Sequence, residues 1–326
     1  MKPTELQITA TLQSRITAVV MSLAAFFMLV SGAGMLPASG VNSGSMALAA
    51  VPAAPTSAMA VIIAGIGLAI SAGIISLTNQ TFNIVHTQTR LDIGLFLMLA
   101  CAVPGALGLQ VTGILLCITT LLCLMIMYTT YQRRGATRRI FLVFTLLSAG
   151  STLDYAFAAF IPAFILGCWQ MRCLTFRSFL AILIGLVTPY WILWGFGIIS
   201  LDEMLPPSVG LPSIHTFRLF STAQIVAIVL IVVAAMMSML YNLIQVLGRN
   251  ARTRAFNGIL AGLTFWTCLA TVIDFGHALT YMPLLCALTG LQLTIYFITD
   301  AMRRAYIAVL LAVALALAVF AWNLTV

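Results

Sequence analysis

Residues 140–171 read IFLVFTLLSAGSTLDYAFAAFIPAFILGCWQM, and how they are threaded decides the path of the whole chain. As one helix, at 1.5 Å per residue, they would run about 48 Å, well beyond the roughly 30 Å of a bilayer's hydrocarbon core. As a hairpin they make two short helices of about 22 Å each, turning where Gly150-Ser151 and Asp154-Tyr155 interrupt the apolar run. The cations choose between the two. With a hairpin, fourteen of the fifteen Lys and Arg residues fall on one side: Lys2, Arg15, Arg90, Arg133, Arg134, Arg138, Arg139, Arg172, Arg177, Arg249, Arg252, Arg254, Arg303 and Arg304. Arg218 alone falls on the other. With a single span every later loop changes sides, and the fifteen split eight to seven. Cytoplasmic loops of inner-membrane proteins carry an excess of Lys and Arg, so the hairpin is preferred, with the amino terminus in the cytoplasm and the carboxyl terminus outside.

Composition supplies the premise. Hydrophobic residues make up 62% of the 326 and charged residues 7%, against roughly 25% charged in a soluble domain. Such a chain has too little polar surface to coat itself in water, and its solvent is lipid. In hydrocarbon every backbone N–H and C=O needs an internal partner, which leaves helices or closed barrels. A barrel would show short segments alternating apolar and polar, whereas Ile225–Leu240 is a continuous apolar run. The expected fold is all-α: one integral membrane domain, a polytopic transmembrane helical bundle of about eleven spans. They fall at 16–36, 58–77, 91–109, 111–131, 140–153, 157–171, 179–198, 221–247, 256–275, 279–298 and 305–324. The 41 residues 91–131 would make a helix of about 62 Å, so they must fold back, with Pro104-Gly105 through Gln110 as the turn. The first span has a second reading, as a cleaved signal peptide behind Lys2 and Arg15 with small residues at Ala49-Ala50.

The net charge of +8 sits in short clusters between apolar runs, which suits a membrane surface and not nucleic acid. The seven Cys lie in or beside those runs without a CxxC pair and read as small packing residues. Gly65 and Gly67 give the second span a smooth face for close helix packing. Tyr190, Trp191, Trp194 and Trp322 lie toward outer span ends, at the depth where aromatic rings anchor.

No P-loop, GxGxxG, HExxH or GxSxG pattern stands at a usable position, no metal ligand set is apparent and no cofactor is indicated. The ionisable groups carry what chemistry there is. Glu5, Asp92 and Asp300 lie on the basic side near Arg, where local ion pairing accounts for them. Asp154, Asp202, Glu203 and Asp274 lie on the side nearly without cations. If both hairpin helices are short, Asp154 lies beneath the outer headgroups, where an acid costs roughly 2.5–3.5 kcal/mol unless a wet cavity or a partner receives it. If they are longer, it is a solvated turn residue. Asp274 and His277 stand three apart on one helix face, suited to act as a general base or hold a metal, or to a polar cap before Tyr281. Tyr155 accompanies Asp154, and His215 with Arg218 shares a loop that can reach these turns. Arg218, as the lone outer cation, is a natural partner for phosphate or simply a rim charge.

Residues 133–198 show basic residues, a short Leu-rich helix, a polar-aromatic turn, a second short helix with Pro, more basic residues and a Gly- and Pro-containing span. This resembles an uncharacterised family of multi-span inner-membrane proteins common in Bacteroidetes-type bacteria. More remotely it resembles the middle helices of GT-C membrane glycosyltransferases. The resemblance implies a cell-envelope protein of the bacterial inner membrane handling a polyprenyl-phosphate-linked sugar at the outer face. GT-C enzymes place a catalytic acid in the first outer loop, but residues 37–57 hold no Asp or Glu. The acid would have to be Asp154 or Asp274, with His277 beside it and Tyr155, His215 and Arg218 on the substrate. Two other readings stand: a non-enzymatic subunit with envelope-protein partners, and a secondary transporter with helix breaks at Pro104, Pro189 and Pro283.

Overall fold

The computed structural model describes residues 15–32, 57–84, 90–103, 111–133, 135–198, 220–246, 248, 250–299 and 305–325. Among them are eleven α-helices and no strand. These are α1 (Arg15–Ser31), α2 (Ser57–Phe82), α3 (Leu91–Cys101), α4 (Val111–Tyr128), α5 (Thr137–Ser151), α6 (Ile161–Gln170), α7 (Phe176–Gly195), α8 (Thr222–Val246), α9 (Ala251–Ile273), α10 (Ala278–Thr299) and α11 (Ala305–Thr325). Short 3-10 turns precede α6 (Tyr155–Phe160) and α10 (Phe275–His277).

Contacts between helix ends give the threading. Phe82 packs edge-on against Tyr128 and Phe256, with ring centroids 5.4 and 5.8 Å apart. The Tyr128 hydroxyl donates to the Phe256 carbonyl, and the Arg139 guanidinium donates to the Thr129 carbonyl at 2.7 Å. The Gln132 N–H donates to the Met171 carbonyl at 3.1 Å. The ends of α2, α4 and α6 and the starts of α5 and α9 therefore meet at one end of the bundle, which also carries Arg133, Arg139 and Arg252. The Gln132–Met171 bond closes the base of the 140–171 segment, so that segment is a hairpin. The second arm is longer than its α-helix alone, because a 3-10 turn rises about 2 Å per residue, and Tyr155–Gln170 reaches about 27 Å. Pro162 falls in the first turn of α6, where no N–H is needed.

The central helix is α10. An 18-residue stretch of Phe275–Ile298 is 89% buried, which sets it apart from every other long helix of the bundle. It packs against α3, α4, α8, α9 and α11. Close approach needs glycine at two crossings. A Cβ on Gly113 would lie 2.8 Å from the Thr280 carbonyl oxygen, and one on Gly290 would lie 3.0 Å from the Phe96 nitrogen. Lipid supplies no hydrophobic force between helices, so such backbone contact and internal hydrogen bonds hold them together. Buried hydroxyls turn back to carbonyls four residues earlier, as Thr264, Thr267 and Thr271 do along α9.

Among the described residues, seven helices are long and apolar enough to cross a membrane, those of α2, α4 and α7 to α11. The remaining four have fewer residues than any of these: α1 has 17, α3 has 11, α5 has 15 and α6 has 10. The sequence marked a span over 91–109, but the described helix ends at Cys101. The turn at Pro104-Gly105 lies outside the described residues. Bare apolar faces run along α1 (Phe26, Phe27) and α7 (Val187, Trp191), as lipid contact requires. All seven cysteines are buried thiols.

Candidate functional site

Two turns and one helical side chain build the site at the end of the bundle opposite the arginines. The first follows α5. Gly150 lets the chain close tightly there, since a Cβ would run into the Phe157 ring. Asp154 then adopts an extended backbone (φ −150°, ψ 133°) and caps the 3-10 turn, its Oδ1 accepting the Ala156 N–H at 3.0 Å. The side chain is 1% exposed and Oδ2 has no hydrogen-bond partner. The second turn, Asp274–His277, links α9 to α10. The third component is Tyr281, one turn into α10, on the face that Asp274 and His277 share.

Asp274 is the hub. Its Oδ1 lies 3.0 Å from His277 Nδ1. Its Oδ2 accepts the Tyr155 hydroxyl at 2.5 Å and the Tyr281 hydroxyl at 3.1 Å. Tyr155 also touches His277 Nδ1, with the two rings edge to face at 4.8 Å between centroids. With Tyr155 donating to the carboxylate, both oxygens around Nδ1 act as acceptors toward it. Nδ1 therefore carries the hydrogen, and Nε2 is left to exchange protons. His277–Asp274 is also the ion pair found among the described residues when the imidazole is charged.

The two carboxyls sit in turns between helices and are poised differently. Burial pushes the Asp154 carboxyl above the usual carboxylate range. The Ala156 N–H and His277 offset this in part, and the charge of Asp274 adds to it. Burial also acts on Asp274, but the hydrogen bonds from His277, Tyr155 and Tyr281 outweigh it and hold that carboxyl below the ordinary range. One acid is thus a committed anion and the other a reluctant one, an arrangement that separates acid and base roles.

Of the six residues singled out in the sequence, the structure brings Asp154, Tyr155, Asp274 and His277 together. Asp154 makes no direct hydrogen bond to the other three and acts on them through its charge. His215 and Arg218 lie outside the described residues. Tyr281 was not singled out as a site residue, although it stands seven residues after Asp274, two turns along the same face. Trp266 adds support from α9, donating its indole N–H to the Ala159 carbonyl at 2.5 Å and fixing the 3-10 turn against that helix. Asp92 differs from its sequence reading. It is 1% exposed and takes hydrogen bonds from the Asn79 amide and the Ile93 N–H, with no ion pair to Arg90. Among the described residues no three His, Cys, Asp or Glu gather into a metal-holding group. Comparison with protein-family models, curated proteins and solved structures gives no match.

Proposed function

We propose that this chain is a bacterial inner-membrane protein crossing the bilayer eleven times, with its amino terminus in the cytoplasm and its carboxyl terminus outside. The meeting of five arginine-side helix ends, and of the Asp154 and Asp274 turns opposite them, supports that threading. The short α5–α6 hairpin then sinks its tip below the outer headgroups, which matches the burial of Asp154.

At that outer end we infer an acid–base site acting on a polyprenyl-phosphate-linked sugar. The observation that carries this is the convergence of the 154–155 turn and the 274–277 turn on one hydrogen-bonded cluster. In the proposed reaction His277 Nε2 takes the proton of an acceptor hydroxyl. The acceptor oxygen bonds to the anomeric carbon as the bond from that carbon to the phosphate oxygen breaks, and polyprenyl phosphate leaves with the electron pair. Asp274 stabilises the imidazolium, and Tyr155 and Tyr281 fix the carboxylate in place. The unpartnered Oδ2 of Asp154 is suited to the positive charge that builds on the sugar ring. Asp154→Asn, Asp274→Asn and His277→Asn should each abolish a surface glycan at unchanged protein abundance. Glycan retained in all three would contradict the reading.

A second reading has its own support. Both oxygens of Asp274 are engaged, by Tyr155, His277 and Tyr281, as in a purely structural clamp of a non-enzymatic envelope subunit. In that case the same variants lower protein abundance and any loss of glycan follows abundance.

A further inference from the structure

At the other end of the bundle lies a constellation that the proposed reaction does not use. Arg133, Arg139 and Arg252 come from the α4–α5 turn, the start of α5 and the start of α9, and all three line one cavity of about 600 Å³. Its walls include Tyr128, Thr129 and Thr81, and among the described residues no carboxylate lines it. A bias of cations toward the cytoplasm places arginines on this side, but it does not gather them around one walled cavity.

The helix starts point the same way. α5 opens Thr137-Arg138-Arg139 and α9 opens Ala251-Arg252-Thr253-Arg254, with no acid in either first turn. Neither Ala136 nor Asn250 caps its helix with a side-chain hydrogen bond. Cations at the positive end of a helix repel its dipole, and uncapped N–H groups lack acceptors. α7, by contrast, is capped by Thr175, which accepts the Ser178 N–H. The two uncapped starts are electrostatically incomplete, and an anion between them supplies what both lack.

An adjoining cavity of about 250 Å³ shares Phe82 and Arg252 with the first and is also lined by Asn257. Asn257 is 4% exposed. Its amide nitrogen donates to the Asn242 carbonyl at 3.3 Å, and its Oδ1 has no partner. A buried amide oxygen without a donor is costly, and a phosphate ester cannot serve it, whereas a hydroxyl can.

We propose that this pair of cavities binds a phosphate group bearing a hydroxylated substituent. Arg133, Arg139 and Arg252 hold the phosphate oxygens, and Asn257 Oδ1 accepts from a hydroxyl of the substituent. The chemistry is met by a glycerol-type lipid headgroup and by a soluble glycerol phosphate.

The test uses the purified full-length chain in detergent, with thermal unfolding and native mass spectrometry as readouts. Phosphatidylglycerol should bind and raise the melting temperature, and phosphatidylethanolamine should not. Arg133→Gln with Arg252→Gln, both exposed in the fold, should weaken phosphatidylglycerol binding by tenfold or more, about the loss of one charge-assisted hydrogen bond. Asn257→Ala should remove the preference for phosphatidylglycerol over phosphatidic acid. Stabilisation by glycerol 3-phosphate as well as by the lipid assigns the site to a soluble ligand, and stabilisation by the lipid alone assigns it to a headgroup. Equal binding of phosphatidylethanolamine, or affinity unchanged in the double arginine variant, overturns the proposal.

Discussion

The Tyr155 hydroxyl donates to Asp274 Oδ2 at 2.5 Å, joining two turns that are 119 residues apart in the chain. This bond pins the tip of the α5–α6 hairpin to the α9–α10 turn. Tyr155→Phe keeps the ring packing on His277 and removes only the donor. It should cost about 1 kcal/mol of unfolding free energy in detergent. Combined with Asp274→Asn, the two effects should be less than additive. Full additivity would mean that the two side chains act independently.

The two acids should respond to pH in opposite senses. Asp274 has its carboxyl held low by three donors. Its stabilisation is present above the unfolded value of 3.8 and is lost as pH falls through the lower folded value. Asp154 has its carboxyl raised by burial. Its charge opposes folding, so a penalty develops as pH rises from 3.8 through the higher folded value. Asp154→Asn should therefore gain melting temperature on the native chain across that interval and hold the gain above it. Asp274→Asn should lose melting temperature at neutral pH and converge on the native chain in acid. Melting curves from pH 3 to pH 8 check both, and a pH-independent difference for Asp154→Asn would contradict the buried-acid description.

Gly150 gives a steric test of the hairpin tip. Its missing Cβ is where the Phe157 ring lies, whereas Gly73 has nothing within 4 Å. Gly150→Ala should destabilise by about 1–3 kcal/mol, the usual range for overpacking. Gly73→Ala should leave the fold unharmed. Thermal unfolding of the two purified variants decides it, and equal behaviour would mean that the tip has slack.

A buried amide pair tests the interior. The Asn242 side-chain nitrogen donates to both the backbone carbonyl and the side-chain oxygen of Gln292, at 2.7 and 2.6 Å. Asn242→Leu strands the Gln292 acceptors and should cost about 1–3 kcal/mol. Asn242→Leu with Gln292→Leu should cost less than the two single changes together, because the side-chain bond between them is then removed at both ends and its acceptor is not left stranded. Unfolding in detergent of the three variants measures the coupling.

Much of this arrangement was legible in the sequence, for reasons that can be named. Arginines at 133–139 and 172–177 bracket residues 140–171, and a charge rule that acts on loops decides a hairpin. Asp274 and His277 announce themselves by helical spacing. Tyr281 did not, because a tyrosine in an apolar helix has the look of a packing residue until a carboxylate two turns earlier is seen to need donors. The Asn79–Asp92 bond was hidden for a different reason. Asn79 ends a different helix, and a neighbouring Arg90 offered a simpler local partner that the fold leaves unused. Helix length was the least legible quantity. Hydropathy marks apolar residues through 109, but it does not see where α3 stops at Cys101, nor that a 3-10 turn stretches the arm before α6.

The most direct measurement is labelling of single cysteines introduced at Gly276 and Gly135, both exposed in the fold, with a membrane-impermeant thiol reagent. The seven native thiols are buried and give little background. Cysteine at 276 should react from outside intact spheroplasts, and cysteine at 135 only after permeabilisation. Reaction at 135 in intact cells with protection at 276 would turn the protein over in its membrane and contradict an outer-face site.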